Sequence, residues 1–256
     1  MTSELKAPEF LSPSSIGTFN QCPQKFKFNK IDLIPDPSNH WAVLGNFVHD
    51  ILEDLYKLEH AERTIESARA IAKYQWDSKW QEEAHKVLST DGEIKNFRWT
   101  AWWCVENLWL LENPQIVTPT GLEREVKGEI GGVPIRGFID RFGPSPDSIF
   151  LTVTDYKTGK VPRVDIDEKF FQLLVYAHLL STTGVGNADR IELLYLKDGV
   201  RLEKNISTSD ISRTIEHVQQ TKSEIDEGCR TGYFEARTSY LCNFCSYKKI
   251  CPAWNR

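Results

Sequence analysis

Two aspartates and a lysine in the second half of the chain have the types and spacing for metal-assisted chemistry. Asp140 falls near the end of one predicted strand, and Asp155 falls near the end of the next. Neighbouring antiparallel strands can bring such carboxylates together, and the pair would bind a hard cation such as Mg²⁺ or Mn²⁺. Lys157 follows Asp155 by two positions and therefore points to the same sheet face. Its ammonium suits chemistry at a phosphate, where it can orient water and stabilise developing charge. Taken alone, each carboxylate is more often a solvated turn charge.

Four of the six cysteines lie at the two ends of the chain. Cys242, Cys245 and Cys251 form a C-x2-C-x5-C pattern, and Cys22 lies in a Cys-Pro step near the other end. These residues are compatible with two kinds of site, a four-thiolate zinc site and an iron–sulfur cluster. The other two cysteines have no partner at ligand spacing and are predicted to be ordinary thiols.

Length and composition exclude several classes of protein. The chain has 256 residues, a formal net charge of −5 and 40% hydrophobic residues, which excludes a disordered tail, a collagen-like rod and a polybasic nucleic-acid coat. No apolar run approaches the roughly 20 residues of a membrane span, and the first residues do not resemble a secretory signal. Six cysteines are too few for a disulfide scaffold, so we expect an intracellular, cytoplasmic protein.

The first half of the chain is predicted to be helical. Apolar residues recur at three- and four-residue steps over 41–58, which predicts an amphipathic helix. A mixed-charge helix over 64–88 and an aromatic-rich helix over 99–111 follow. We interpret residues 60–113 as a helical insertion.

The pattern changes at Pro114 to the alternation that is typical of strands. Together with the later periodic segments it predicts an α/β fold with a mixed central sheet flanked by helices. We expect one domain over residues 1–256, with its core at about 114–228. The predicted elements are strands over 116–130, 133–142, 148–156, 190–196 and 201–206, and helices over 165–180 and 209–227.

Five short motifs in this order resemble those of the RecB-type branch of the PD-(D/E)xK nuclease superfamily. The resemblance covers most of the chain and implies a restriction-endonuclease-like core. The motifs are Leu11-Ser12-Pro13-Ser14-Ser15 through Cys22-Pro23-Gln24-Lys25-Phe26, Gly45-Asn46-Phe47-Val48-His49, Gly137-Phe138-Ile139-Asp140, Asp155-Tyr156-Lys157 and Gln172-Leu173-Leu174-Val175-Tyr176.

The resemblance also implies a set of metal ligands. They are His49, Asp140, Asp155 and the backbone carbonyl of Tyr156, and they would hold Mg²⁺ or Mn²⁺. Lys157 would then aim a water at a phosphodiester bond. Without the resemblance, a histidine on a half-apolar helix is more often a packed or an exposed residue.

Three further residues have roles by the same resemblance. Gln172 and Tyr176 share one helix face, and in the family such a pair lies beside the active centre. Glu123 matches a glutamate that often supports the site. On the residues alone, the Gln–Tyr pair is ordinary surface, and Glu123 is equally well explained by a cross-strand ion-pair face with Arg124 and Glu125.

For the cysteines, the resemblance favours an iron–sulfur cluster of the AddB type. It implies a 4Fe-4S cluster on Cys22, Cys242, Cys245 and Cys251 that clamps the N-terminal helix to the tail at 241–256. Such ligation would contribute folding free energy.

The expected function is that of a Mg²⁺- or Mn²⁺-dependent deoxyribonuclease. The resemblance implies an exonuclease on single-stranded DNA or DNA ends, acting in recombination, repair or CRISPR-adaptation-like processing, with partner proteins or as a homo-oligomer. Lysines and aromatic residues near the cysteines suit stacking on single-stranded bases, or equally a small core under a charged rim. The alternatives are a non-catalytic DNA-binding or assembly subunit and a structural zinc protein.

Overall fold

A computed structural model describes residues 5–145, 148–164 and 166–254 of the chain. It contains a mixed five-stranded sheet with helices on both faces, so the predicted α/β class is confirmed. The expected helix start at Asp165 and the outermost residues of the expected domain, 1–4 and 255–256, lie outside the described residues.

The helices surround the sheet in three groups. An N-terminal pair is α1 (Pro13–Gln21) and α2 (Pro23–Phe26). The insertion and the helix before it comprise α3 (His40–Lys57), α4 (Ile65–Gln75), α5 (Gln81–His85), α6 (Asp91–Glu106) and α7 (Leu108–Leu111). The later helices are α8 (Ile166–Lys169), α9 (Phe171–Thr182) and α10 (Thr208–Thr231).

The five strands lie in sequence order across the sheet. Neighbouring pairs are antiparallel except the third and fourth, which are parallel and therefore need a crossover that α8 and α9 supply. The strands are β1 (Gly121–Ile130), β2 (Val133–Pro144), β3 (Leu151–Lys157), β4 (Ala188–Tyr195) and β5 (Val200–Asn205).

Two apolar cores lie on opposite faces of the sheet. On one face, α1, α9 and α10 pack against residues such as Val153 and Leu193. On the other face, α3, α4 and α6 pack against Tyr156 and Leu194. Because side chains alternate along a strand, β3 places Asp155 and Lys157 on the α9 face. The end of β3 thus lies between the two helical layers.

Two predicted boundaries are wrong by five residues or more. Helix α6 begins eight residues earlier than predicted, because Thr90 and Glu93 form a reciprocal capping box that satisfies the first backbone donors. Strand β1 begins at Gly121 and not at 116, since its ladder starts where Gly121 pairs with Phe142. Pro119 just before it has no N–H to donate to a ladder.

Within the described part of the chain, no helix is both long enough and apolar enough to cross a bilayer.

Candidate active site

The second and third strands separate at the predicted carboxylates. Their ladder runs from Pro144 paired with Leu151 to Arg141 paired with Thr154, and stops there. Beyond this point a side chain takes the place of the backbone acceptor. The Oδ2 of Asp140 accepts a hydrogen bond of 2.9 Å from the backbone N–H of Tyr156. Asp140 lies inside β2 and not near its end as predicted, since β2 continues to Pro144. The strands thus open a gap at the level of Asp140.

His49 reaches this gap from helix α3. Its Nε2 lies 2.9 Å from the carbonyl oxygen of Tyr156, and since a carbonyl only accepts, Nε2 is the donor. Its Nδ1 lies 3.6 Å from Glu123 Oε1 and 3.6 Å from Asp140 Oδ2. Glycine at position 45, one turn earlier, lies beside Thr158 just after β3. Helix α3 therefore runs along the open end of the sheet.

Glu123 enters the site through an unusual backbone conformation. Its φ is +40°, in the left-handed region that L-residues rarely adopt. In the ladder between β1 and β2, Leu122 pairs with Arg141 and Arg124 pairs with Ile139. No pair lies between these two. Regular alternation predicts no such turn, and we find no signal for it in the sequence. The geometry favours the site over the cross-strand ion-pair face that was equally compatible with the sequence.

His49, Glu123 and Asp140 present ligand atoms within 4.8 Å of one another, and they are the one such group found among the described residues. Asp155 is not a member of this group. The carbonyl of Tyr156 faces His49. Two of the metal ligands expected by resemblance, His49 and Asp140, thus lie close together, and Glu123 lies with them.

Asp155 forms a second group on the α9 face. Its side chain is buried, and Oδ2 lies 2.7 Å from the Nζ of Lys157. Although this is an ion-pair contact, Oδ2 accepts no hydrogen bond of acceptable geometry. Gln172 Nε2 donates to Oδ1 at 3.0 Å, and it also lies 3.5 Å from the hydroxyl of Tyr176. The predicted Gln–Tyr helix face therefore lies directly against the predicted Asp–Lys pair.

The closeness of these groups changes their affinities for protons. Burial alone would lower the pKa of His49, but the carboxylates of Asp140, Glu123 and Asp155 outweigh it and raise the pKa to about 9. Burial, and then the charge of Asp155, raise the pKa of Asp140 to about 7. For Lys157, burial opposes the charged form, yet the carboxylates of Asp155 and Asp140 raise its pKa. The site thus holds an excess of negative charge.

These donors fit a hard divalent cation. Carboxylate oxygens and an imidazole converge, and the buried Oδ2 of Asp155 has no hydrogen bond to satisfy it. Oxygen-rich sets of this kind suit Mg²⁺ and Mn²⁺.

The four terminal cysteines line one small pocket between the N-terminal segment and the tail. These residues are Cys22, Cys242, Cys245 and Cys251. Cys104 and Cys229 are buried elsewhere. Of the nearby aromatic residues, Phe26 and Tyr247 are buried, so a small core explains them, whereas Phe244 is exposed.

Comparisons with known proteins agree with this architecture. Residues 10–252 match the family model of the PD-(D/E)XK nuclease superfamily. The Gene 69 protein of Mycobacterium phage D29 is 23% identical over 98% of this chain and 99% of its own length. The Gene 69 protein of Mycobacterium phage L5 is 23% identical over 95% and 96% of the two chains. A crystal structure of a proposed exonuclease from Eubacterium rectale has a TM-score of 0.58 and 10% identity, and the match covers 96% of this chain and 87% of that one. The family match spans nearly the whole sequence, and the chain belongs to the PD-(D/E)XK nuclease superfamily.

Proposed function

We propose that the protein is a Mg²⁺- or Mn²⁺-dependent deoxyribonuclease that removes nucleotides from single-stranded DNA or from DNA ends. The observation that carries the proposal is the meeting of two groups at the gap between β2 and β3. His49, Glu123 and Asp140 form one group, and Asp155 with Lys157 forms the other. Processing of DNA ends in recombination, repair or CRISPR adaptation is the setting that we propose for this activity.

Each residue has a role that its contacts support. Asp140 and Asp155, with His49, Glu123 and the carbonyl of Tyr156, would hold the cation, which supplies Lewis-acid activation of water and phosphate when bound. Lys157 is held by Asp155, so its ammonium is positioned to orient the water and to stabilise charge on the phosphate.

Gln172 and Tyr176 act as positioning residues in this proposal. The amide of Gln172 donates to Oδ1 of Asp155. Oδ2, which lies beside Lys157 and accepts no hydrogen bond of acceptable geometry, is the oxygen that would face the cation.

The test is a cleavage assay on DNA labelled at the 5′ end and at the 3′ end in separate reactions. Linear single strands, linear duplexes and circular single strands are compared with Mg²⁺, Mn²⁺ or chelator. We expect metal-dependent loss of one end label from linear DNA and no cleavage of circles. Cleavage of circles would contradict the exonuclease proposal, and no cleavage of any substrate would favour a non-catalytic DNA-binding subunit.

Variants of the site residues distinguish cleavage by this protein from cleavage by contaminating nucleases. Asp155→Asn and Lys157→Met should lower the cleavage rate by about a thousandfold or more, since each removes a group needed in the transition state. Asp167→Asn is the matched control, because this carboxylate is highly exposed and forms an ion pair with Lys204, away from the candidate site. Equal activity of the three variants would contradict the assignment of the site.

We further propose that the single nuclease domain over residues 1–256 carries a 4Fe-4S cluster, as in the RecB- and AddB-like branch. Cys22, Cys242, Cys245 and Cys251 line one pocket, which supports a shared group. Structural zinc sites more often pair two C-x2-C segments, whereas here one cysteine is separated from the other three, which supports a cluster over zinc.

Metal analysis of anaerobically purified protein tests the cluster. We expect about four iron and four sulfide per chain, with absorbance near 400 nm. Cys251→Ser should lose the iron, and Cys229→Ser should keep it. Colourless protein with stoichiometric zinc would favour the structural zinc site.

A further inference from the structure

Three tryptophans on the surface near the candidate active site are unusually exposed. The exposed fraction is 58% for Trp41, 63% for Trp99 and 44% for Trp103. Tryptophan is largely buried on average in folded proteins, and a group of exposed aromatic rings marks a binding surface. We call these three rings, together with Lys197, the tryptophan surface.

The members of the tryptophan surface form a continuous series. Lys197 Nζ lies 5.2 Å from the centre of the Trp41 ring. Trp103 Nε1 donates a hydrogen bond of 3.0 Å to the backbone carbonyl of Lys197. The rings of Trp103 and Trp99 lie 6.4 Å apart and only 28° from parallel. Lys197 therefore contacts two of the three rings, Trp41 through its ammonium and Trp103 through its backbone carbonyl.

Helix α3 connects this surface to the candidate active site. Trp41, Gly45 and His49 are spaced by four residues and lie on one side of the helix, with Trp41 about 12 Å along the axis from His49. The chain after β3 follows the same side, since His49 contacts Tyr156 and position 45 lies beside Thr158. The tryptophan surface thus begins about 12 Å from His49 and leads away from the candidate active site.

Beyond Trp99 the surface continues into a groove of about 980 Å³ between α4 and α6. Its charged lining has four cations and two carboxylates, although the chain as a whole is acidic. The cations are Arg69, Lys73, Lys95 and Arg98. The local positive excess is complementary to a phosphate backbone.

We infer that the tryptophan surface binds an unpaired nucleic-acid strand whose end lies at the candidate active site. The bases stack on the rings of Trp41, Trp103 and Trp99, and Lys197 pairs with a phosphate. Aromatic rings with interspersed cations bind single strands without sequence preference because every base has a flat face. Paired bases are not available for such stacking, so a duplex is not the occupant. The inference rests on the proposed function for the direction of the strand, but binding itself requires no cleavage.

The test measures fluorescence anisotropy of a labelled oligothymidylate of about 20 nucleotides, with Ca²⁺ to limit hydrolysis. We expect Trp41→Ala and Trp99→Ala each to raise the Kd roughly 5- to 150-fold, the range for loss of one stacked base. Trp41→Phe should retain most of the affinity. Lys197→Gln should reduce the slope of log Kd against log salt by about 0.7. A duplex of the same length should show no such dependence on the tryptophans.

The matched control is Tyr74→Ala, which removes an aromatic ring that is 70% exposed but lies outside the tryptophan surface. Equal affinity of all variants, or an equal loss in Tyr74→Ala, would overturn the inference. A change of oligomeric mass in Trp99→Ala without a change in strand affinity would show that the surface joins two copies of the chain. Because binding is read without cleavage, an inactive but tryptophan-dependent binder would overturn the proposed function and leave this inference intact.

Discussion

Glu123 combines a left-handed backbone with a carboxylate aimed at His49. A non-glycine residue in this region costs on the order of 1–3 kcal/mol, and such residues cluster at functional sites. Asp140 opposite also lacks a ladder partner and places its side chain on the N–H of Tyr156. Both distortions bring negative charge together beside His49, a charge that a bound cation would offset.

The raised pKa values at the site predict release of protons when a metal binds. At about pH 8 the imidazole of His49, with a pKa of about 9, still carries its proton, while Asp140, with a pKa of about 7, is mostly ionised. A metal needs the neutral imidazole, so each Mn²⁺ should displace about one proton, and affinity should rise with pH up to about 9. Calorimetry in buffers of different ionisation enthalpy measures this release.

His49→Gln is the control for proton release, because it removes the group that titrates above Asp140. The variant should bind Mn²⁺ more weakly and with little proton release at about pH 8. Release that is unchanged in this variant, or an affinity that does not depend on pH, would contradict the assignment of His49.

At the scale of the elements, helix α9 packs against strand β2 at Gly137, which has no side chain. A Cβ at Gly137 would lie 2.5 Å from the Tyr176 ring, so only glycine allows this approach. Tyr176 lies beside Gln172, which in turn holds Asp155. The glycine of the Gly-Phe-Ile-Asp motif thus lets α9 position the Asp–Lys pair.

Gly137→Ala should therefore lower kcat by about tenfold or more, since small displacements of catalytic groups have large effects on rate. Every candidate ligand side chain is kept in this variant, so the effect acts through Tyr176 and through Gln172, which contacts both Tyr176 and Asp155. The matched control is Gly17→Ala in helix α1, where nothing lies within 4 Å of the added methyl group. Steady-state kinetics and thermal unfolding of both variants distinguish displacement of Tyr176 from general destabilisation, which would lower the melting temperature along with kcat.

The insertion is joined to the sheet by a buried ion pair. Arg141 on β2 bonds in two places with Glu112, which follows α7, and both side chains are almost fully buried. The guanidinium also lies over the rings of Tyr56 and Tyr156. This contact fixes the helical layer that carries His49 against the strand that carries Asp140.

Breaking this pair should destabilise the protein strongly. Glu112→Gln leaves the charge of Arg141 buried without its partner, and we expect the free energy of unfolding to fall by about 3–5 kcal/mol. Denaturant unfolding measures the change. Asp226→Asn, which breaks an exposed pair with Lys222, should cost less than about 0.5 kcal/mol. A similar small effect in both variants would contradict the role of the buried pair.

At the scale of the molecule, the cysteine pocket brings together segments from near the two ends of the chain. Cys22 follows α1, and the other three cysteines lie in the tail after α10. Ligation would restrict the unfolded chain and add the free energy of metal binding to folding.

Loss of one ligand should therefore be visible in the stability of the whole protein. We expect Cys22→Ser to lower the unfolding temperature on the order of 10 °C, as estimated from closure of a long loop. Cys104→Ser is not expected to change metal content. An unfolding temperature for Cys22→Ser equal to that of wild type would contradict a structural role for the pocket.

The sequence by itself determined the features that depend on local pattern. Helical and strand periods and the spacing of the cysteines are properties of neighbouring residues, and they predicted the fold class. The candidate site residues were predicted from the resemblance of the motifs to a known family. The insertion helix α6 was also specified locally, because its capping box at Thr90 can be read from the sequence although the predicted start was wrong.

Only the tertiary structure decided which side chains share a site and which are exposed. The left-handed turn at Glu123, the gap at Asp140 and the burial of Arg141 depend on strand pairing and helix packing between distant segments. The same holds for the aromatic residues, since Phe26 is buried and Trp99 is exposed. Both residues are large and aromatic, so the residue type alone does not decide their burial, which depends on contacts between segments distant in the sequence.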